Sequence, residues 1–212
     1  MTERKQTTLM DLQAAGGINQ DTNISVSSSV VGSATATVGS FSTPVGFEYL
    51  QRAAKMLAAG TIFPERFRGN IADCAIIVDM ALRLNASPLF VAQNMYLVYG
   101  SPAWSSKFLI GLFNTCGKYS SIRYEFSGEE GKDDWTCVAK SVEWKTNEDL
   151  VGPPVSIALA KKEGWYDKRG SKWQTMPALM MRYRAAAFLI NTVAPELSLG
   201  IMTVEEAQDV YA

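Results

Sequence analysis

Histidine is absent from this sequence of 212 residues, and cysteine is scarce. Without an imidazole, a Ser-His-Asp triad, a Cys-His pair and an HExxH zinc site are all excluded. The three cysteines, Cys74, Cys116 and Cys137, are far apart in the sequence and form no CxxC pair. We therefore expect neither a disulfide framework nor a zinc knuckle, but reduced thiols that behave as small buried apolar side chains.

Long apolar runs are also missing. No stretch reaches the roughly 18 consecutive apolar residues that a membrane-spanning helix needs. The charged start of the chain, residues 1–6, is followed by no apolar segment of the kind found in signal peptides. The sequence therefore predicts a cytoplasmic protein with no membrane partner.

Charge disappears after Asp21 within a long segment, residues 16–46, that is dominated by Gly, Ser, Thr and Asn. Such a composition buries too little apolar surface to offset the entropy lost on ordering, which favours a flexible arm over residues 1–46. Its first 15 residues have the spacing of a short amphipathic helix. The β-branched residues between 24 and 38 keep a second interpretation open, a strand added to a neighbouring subunit. The folded domain is expected over residues 47–212.

Apolar spacing over the rest of the chain predicts an α+β fold. Between residues 122 and 157 the apolar period is two, which predicts a small antiparallel β-meander, its third strand interrupted by Pro153-Pro154. Residues 89–100 are expected to begin as a helical turn and end as a strand. Helical spacing predicts several helices packed with the meander, the longest in the C-terminal half: 48–59, 71–84, 105–115, 156–160, 177–190 and 205–211.

The net charge of −1 conceals a strong polarity along the chain. Residues 161–184 are basic, with seven basic and two acidic groups. Two other segments are acidic: residues 125–149 carry three basic and eight acidic groups, and residues 185–212 carry four acidic groups and no basic one. Cations interleaved with aromatic rings are typical of single-strand nucleic-acid binding, since phosphates meet Lys or Arg and bases stack on rings. A solvated charged face around core tryptophans fits the same composition equally well.

The basic segment supplies the candidate site. Its phosphate-binding candidates are Lys161, Lys162, Lys168, Arg169, Lys172 and Arg182, with Arg184 after them; Lys107 and Arg123 are candidates for an opposite wall. The base-stacking candidates are Trp165, Trp173 and Tyr166, although anchoring of the next helix is the favoured interpretation of Trp173, and Trp104 is assigned to the core. Because Arg182 and Arg184 are two residues apart on a helix, they point about 200° apart. One of them is therefore expected to pair with an acid or with a neighbouring subunit.

Three blocks, in this order, resemble the RecT/Redβ group of phage single-strand annealing proteins. The first is the helix over 74–84 with the helix-breaking Asn-Ala-Ser-Pro at 85–88 and a strand ending in Gly100. The second is the helix over 106–117, which ends in Cys-Gly. The third is the segment 172–188, followed by Ala-Pro-Glu at 194–196. The similarity covers about residues 47–210.

The resemblance implies a non-enzymatic protein of homologous recombination and DNA repair in the bacterial host cytoplasm. Such a protein coats single-stranded DNA without ATP, anneals complementary strands into a duplex, and assembles into homo-oligomeric rings or helical filaments. It implies no cofactor, leaving a dependence of annealing on Mg²⁺ open, and it implies a phage exonuclease as the partner that supplies the DNA. The acidic segments then allow head-to-tail contacts with the basic segment of another copy.

Two other classes of function stay open. A non-enzymatic phage or host interaction module would show no DNA binding. A metal-dependent nuclease is less favoured, because Asp133 and Asp134 fit a solvated turn, Glu143 is isolated from them, and no GxxxxGK[ST] loop occurs.

Overall fold

The computed structural model describes residues 41–211. The helix expected over residues 1–15, and most of the predicted arm, lie outside the described residues. The described α-helices are α1 (Pro44–Ala59), α2 (Ile71–Arg83), α3 (Pro88–Asn94), α4 (Ser106–Thr115), α5 (Ile157–Lys162), α6 (Lys172–Thr175), α7 (Pro177–Val193) and α8 (Val204–Tyr211). The strands are β1 (Met95–Val98), β2 (Ser101–Trp104), β3 (Arg123–Ser127), β4 (Thr136–Val142), β5 (Asp149–Val151) and β6 (Val155–Ser156). The predicted α+β class is confirmed.

Side-chain caps begin several helices where the sequence places them. Asn70 accepts a hydrogen bond from the backbone N–H of Asp73 at 3.1 Å, and Ser105 accepts one from Phe108 at 3.2 Å. Each cap satisfies an amide that the first turn of a helix leaves without a partner. α1 begins at Pro44, earlier than predicted, because the Thr43 hydroxyl caps it and proline suits the first helical position.

The main sheet is the predicted antiparallel meander. β4 pairs with β3 on one side and with both β5 and β6 on the other, so the third strand is divided at Pro153-Pro154 as expected. Alternation along β3 and β4 places Tyr124, Phe126, Cys137 and Ala139 on the face toward α7. The opposite face is polar, with Arg123 directly across from Lys140.

A second, two-stranded sheet was not predicted in full. β1 follows α3 as expected, but β2 turns back and pairs with it through a turn in which Tyr99 and Gly100 both have positive φ. β2 is short and contains Pro102, which weakens its strand pattern in the sequence. Val98 and Ala103 form a small buried cluster with Ala207, so α8 packs against this hairpin through an apolar contact.

The main core joins the meander and the helices. Trp104 is fully buried, and its indole N–H donates to the Ser198 carbonyl at 2.8 Å, which confirms the assignment of this residue to the core. Cys74 and Cys137 are buried and Cys116 is half-buried, all as free thiols. Over residues 41–211, no single helix is long and apolar enough to cross a membrane. Only α2 and α3 taken together meet both criteria, and the chain bends by 110° between them.

Candidate nucleic-acid interface

The basic segment, residues 161–184, comprises the end of α5, a loop, α6 and the first half of α7, and it exposes its lysines and Arg169. α5 extends to Lys162, so Lys161 and Lys162 occupy its last turn, where cations suit the negative end of a helix. Ser171 starts α6 by accepting a hydrogen bond from the Trp173 N–H at 3.3 Å. Lys161, Lys162, Lys168, Arg169 and Lys172 are exposed.

Three of these cations gather at a cleft of about 290 Å³ between the segment and α8. Lys168, Arg169 and Lys172 line it together with Arg184. The polar residues that α8 adds to the lining are Glu205, Gln208 and Asp209. Lys161 and Lys162 are not part of the lining, so the predicted basic residues divide into a cleft group and a neighbouring surface group.

The two tryptophans of the segment are buried, which corrects their assignment as base-stacking rings. Trp165 and Trp173 are 8 % and 6 % exposed, and their rings stack on each other with centroids 5.7 Å apart. Trp173 anchors α6 and α7, as the favoured interpretation holds. Rings packed in this way present no free face to a base. Of the three predicted rings, half-buried Tyr166 is the most exposed.

Arg184 is also buried, which corrects its assignment as a surface phosphate contact. Its guanidinium lies 4.2 Å from the centroid of the Trp165 ring, donates to the Glu205 carbonyl at 3.1 Å and forms an ion pair with Asp209. One of Arg182 and Arg184 was expected to pair with an acid or with a neighbouring subunit, and Arg184 is the one that pairs with an acid. Its Nε–H is buried and has no hydrogen-bond partner among the described residues.

Arg182 occupies the other side of α7 and is exposed, as its two-residue separation from Arg184 predicts. Its guanidinium lies 5.1 Å from the centroid of the Phe126 ring. Burial raises the pKa of Tyr124 to about 12 and that of Cys137 to about 11, and the positive charge of Arg182 opposes both shifts. Both groups are therefore neutral near pH 7, and Cys137 is a structural thiol rather than a nucleophile.

Lys161 already has a partner inside the chain. Its ammonium lies 2.6 Å from a carboxylate oxygen of Asp133 and 5.3 Å from the centroid of the Tyr166 ring. The hydrogen bond to Asp133 raises the pKa of Lys161. Two of the acids expected to serve another copy, Asp133 and Asp209, thus neutralise basic residues of their own chain.

Lys107 and Arg123 do not form the opposite wall of the cleft, which corrects that prediction. Lys107 is exposed in the first turn of α4 and is absent from the cleft lining. Arg123 lies on the polar face of the main sheet, in a separate groove shared with Lys140 and Asp149. The wall that sequence reasoning placed there is made by α8 instead.

Sequence reasoning missed Trp144. The structure describes all five tryptophans of the chain, and the other four are buried, whereas Trp144 is 62 % exposed in the turn after β4. It lines a shallow hollow of about 490 Å³ with Lys118 and Lys145. The signal available in the sequence is the polar run Lys145-Thr146-Asn147-Glu148 that follows it, which is typical of a turn at the surface.

The acids considered for a nuclease are dispersed. Asp133 pairs with Lys161, and Glu143 accepts a hydrogen bond from the Thr146 hydroxyl at 2.6 Å. Across residues 41–211, no three His, Cys, Asp or Glu side chains converge in a way that would hold a metal ion.

No family model, no curated protein and no solved structure matches this chain. The inference to function therefore depends on the chemistry of the basic segment, of the cleft and of Trp144.

Proposed function

We propose that this protein binds single-stranded DNA through its basic segment without ATP and anneals complementary strands as a homo-oligomer. The observation that carries the proposal is the row of exposed cations on α5, α6 and the loop between them: Lys161, Lys162, Lys168, Arg169 and Lys172. Lysine and arginine neutralise backbone phosphates whatever the base sequence, and the release of counterions drives the binding.

Annealing makes and breaks no covalent bond, so it needs no nucleophile, general base or set of metal-ligating side chains. It requires a surface that holds one strand by its phosphates and leaves the base edges free for a second strand. Flexible lysines at the surface suit sequence-independent contacts of this kind. The exposed ring of Trp144 between Lys118 and Lys145 adds a face on which a base can stack. The three sequence blocks that resemble RecT/Redβ proteins support the same function.

Assembly is proposed to use the acids that the fold leaves exposed. Asp133 and Asp209 are engaged within the chain, but Glu130 and Asp134 in the turn between β3 and β4 are exposed. These residues complement the basic segment of another copy in a head-to-tail contact. We propose that the protein acts in a bacterial host cytoplasm, where a phage exonuclease supplies the single strand.

Binding is tested by fluorescence anisotropy with a labelled single-stranded oligonucleotide, without nucleotide, at two salt concentrations. We expect an affinity that falls steeply with salt. Lys162→Glu and Lys172→Glu should each weaken binding to all sequences alike, because neither ammonium forms an ion pair with the described residues. Lys55→Glu, on the exposed surface of α1, is the matched control and should bind like the wild type.

Annealing is tested by mixing two complementary strands, one carrying a fluorophore and the other a quencher. A rate no faster than that of the strands alone would overturn the annealing part of the proposal. Loss of all DNA binding at low salt would favour an interaction module instead. Shortened oligonucleotides after incubation with Mg²⁺ would favour a nuclease.

A further inference from the structure

Asp209 neutralises two cations of the cleft at once. One carboxylate oxygen lies 2.7 Å from the Lys168 ammonium, and the other pairs with the Arg184 guanidinium. The lining contains four basic residues and two carboxylates, Glu205 and Asp209. A carboxylate of the protein itself thus pairs with cations that, in the proposed function, bind DNA phosphates.

Arg184 is incompletely satisfied by this arrangement. Its hydrogen bonds to Asp209 and to the Glu205 carbonyl both use the same terminal nitrogen, while its Nε–H is buried without a partner among the described residues. A guanidinium matches a carboxylate or phosphate best through two parallel N–H donors. Asp209 divides its two oxygens between Arg184 and Lys168, so it does not make this paired contact.

The two ends of α8 are held differently. In its first turn, Glu205 accepts from the Ser106 hydroxyl at 2.7 Å, Glu206 accepts from the Asn191 amide at 3.0 Å, and Ala207 fills the small apolar cluster. The last turn contacts the cleft through the Asp209 carboxylate and through the Gln208 carbonyl, which accepts from the Lys168 ammonium at 3.4 Å, while the side chains of Gln208 and Val210 are exposed. A negative charge near the C-terminal end of a helix is unfavourable to the helix dipole. The contacts of the last turn with Lys168 and Arg184 are therefore all with cations of the cleft, whereas the first turn has partners on α4, on α7 and in the small sheet.

We propose that the cleft is a phosphate subsite for single-stranded DNA and that Asp209 is its internal competitor. A backbone phosphate displaces the Asp209 carboxylate, pairs with Lys168 and Arg184, and is completed by Arg169 and Lys172 on the rim. The exchange involves no covalent step. This inference rests on the proposed function and adds a regulatory feature to it, since the last turn of α8 sets how readily the site opens.

The first test is Asp209→Asn, which removes the charge and keeps the size of the side chain. We expect single-strand affinity to rise by on the order of tenfold and the salt dependence to steepen by about 0.7 for each cation released. The matched control is Glu163→Gln, which removes one negative charge from the basic segment outside the cleft lining. An equal gain in both variants would reduce the effect to general electrostatics and overturn the inference.

A second measurement uses the unaltered protein, because Asp209→Asn leaves buried Arg184 without its charged partner and lowers stability. Amide hydrogen exchange over residues 204–211 is followed with and without an oligothymidylate. We expect faster exchange in the last turn of α8 when the strand is bound. Unchanged or slower exchange, with wild-type binding intact, overturns the inference and leaves the proposed function standing. If neither protein binds the strand, the proposed function fails and this inference with it.

Discussion

Arg182 and Arg184 leave the same helix two residues apart and end in opposite environments. Arg182 is exposed beside the Phe126 ring, whereas Arg184 is 5 % exposed, lies over the Trp165 ring and pairs with Asp209. Two residues of the same type therefore have different roles, because α7 turns one toward solvent and the other toward α8.

This difference predicts unequal effects on stability. Arg184→Ala should lower the free energy of unfolding by about 3 kcal/mol, because it leaves the Asp209 carboxylate with Lys168 alone and removes the group that covers Trp165. Arg182→Ala, the control on the same helix, should cost no more than about 1 kcal/mol. Urea unfolding of the two variants measures both values. Equal losses would contradict the burial of Arg184 and its pairing with Asp209.

The turn between β3 and β4 holds two glycines with similar backbone angles and different surroundings. Gly128 and Gly131 have φ of +82° and +81°. A Cβ at Gly128 would lie 2.7 Å from the Asp134 carbonyl carbon and still closer to its oxygen, whereas a Cβ at Gly131 would meet nothing within 4 Å.

Gly131→Ala should therefore cost about 1 kcal/mol, the price of a left-handed conformation with a side chain. Gly128→Ala should cost clearly more, about 2–4 kcal/mol, because the backbone of Asp134 must also move. Thermal unfolding of both variants gives the comparison. A loss at Gly128 no larger than that at Gly131 would show that the turn accommodates the added carbon.

The ion pair between Lys118 and Glu196 predicts a pH dependence. The hydrogen bond from Lys118, 2.9 Å long, holds the pKa of the Glu196 carboxyl below its usual range. A carboxyl with a lowered folded-state pKa contributes stability above its unfolded pKa, near 4.3, and loses it as the pH falls through the folded value.

Glu196→Gln should cost less than about 1 kcal/mol at pH 7, since both side chains are more than half exposed and solvent screens the pair. The difference between variant and wild type should shrink as the pH falls to 3, and also in 1 M salt at pH 7. Urea unfolding at each condition measures it. A difference that persists in acid would contradict the assigned cause.

Trp144 predicts a contribution to DNA binding that is separable from folding. Trp144→Ala should weaken single-strand affinity by about 1–3 kcal/mol, the usual range for one stacked base. Its stability should change little, because the side chain is 62 % exposed. Trp144→Phe is the control and should retain most of the affinity, because a ring remains. Wild-type affinity in Trp144→Ala would remove this residue from the interface.

Local signals predicted most of the elements. Asn70 caps a helix as expected, and Ser105 and Ser156, predicted as the first residues of helices, cap them, because a cap depends on a side chain and an amide three residues along the chain. The change of apolar period near residue 122 located the meander, because alternation along a strand follows from its geometry. The partner strand β2 was not predicted, because four residues that include Pro102 are too few to show an apolar alternation.

The candidate site was predicted less well, because exposure depends on contacts far apart in the sequence. Trp165 and Trp144 are of the same residue type and each has charged residues within two positions on both sides, yet one is 8 % and the other 62 % exposed. Their difference comes from α6 and α7, which cover Trp165 through Trp173 and Arg184, and from the turn that leaves Trp144 at the surface. The turn-like sequence after Trp144 favours its exposure, but no local composition indicates that Trp165 is buried.

The amino-acid sequence alone was enough for the α+β class, the approximate positions of most helices and the concentration of positive charge in residues 161–184, since all of these follow from composition and from periodicity along the chain. The tertiary structure decided which charges are free. Asp133 and Asp209 reach Lys161, Lys168 and Arg184 across separations of 25 to 41 residues. A Coulombic contact depends on distance in space, and the folded chain determines that distance.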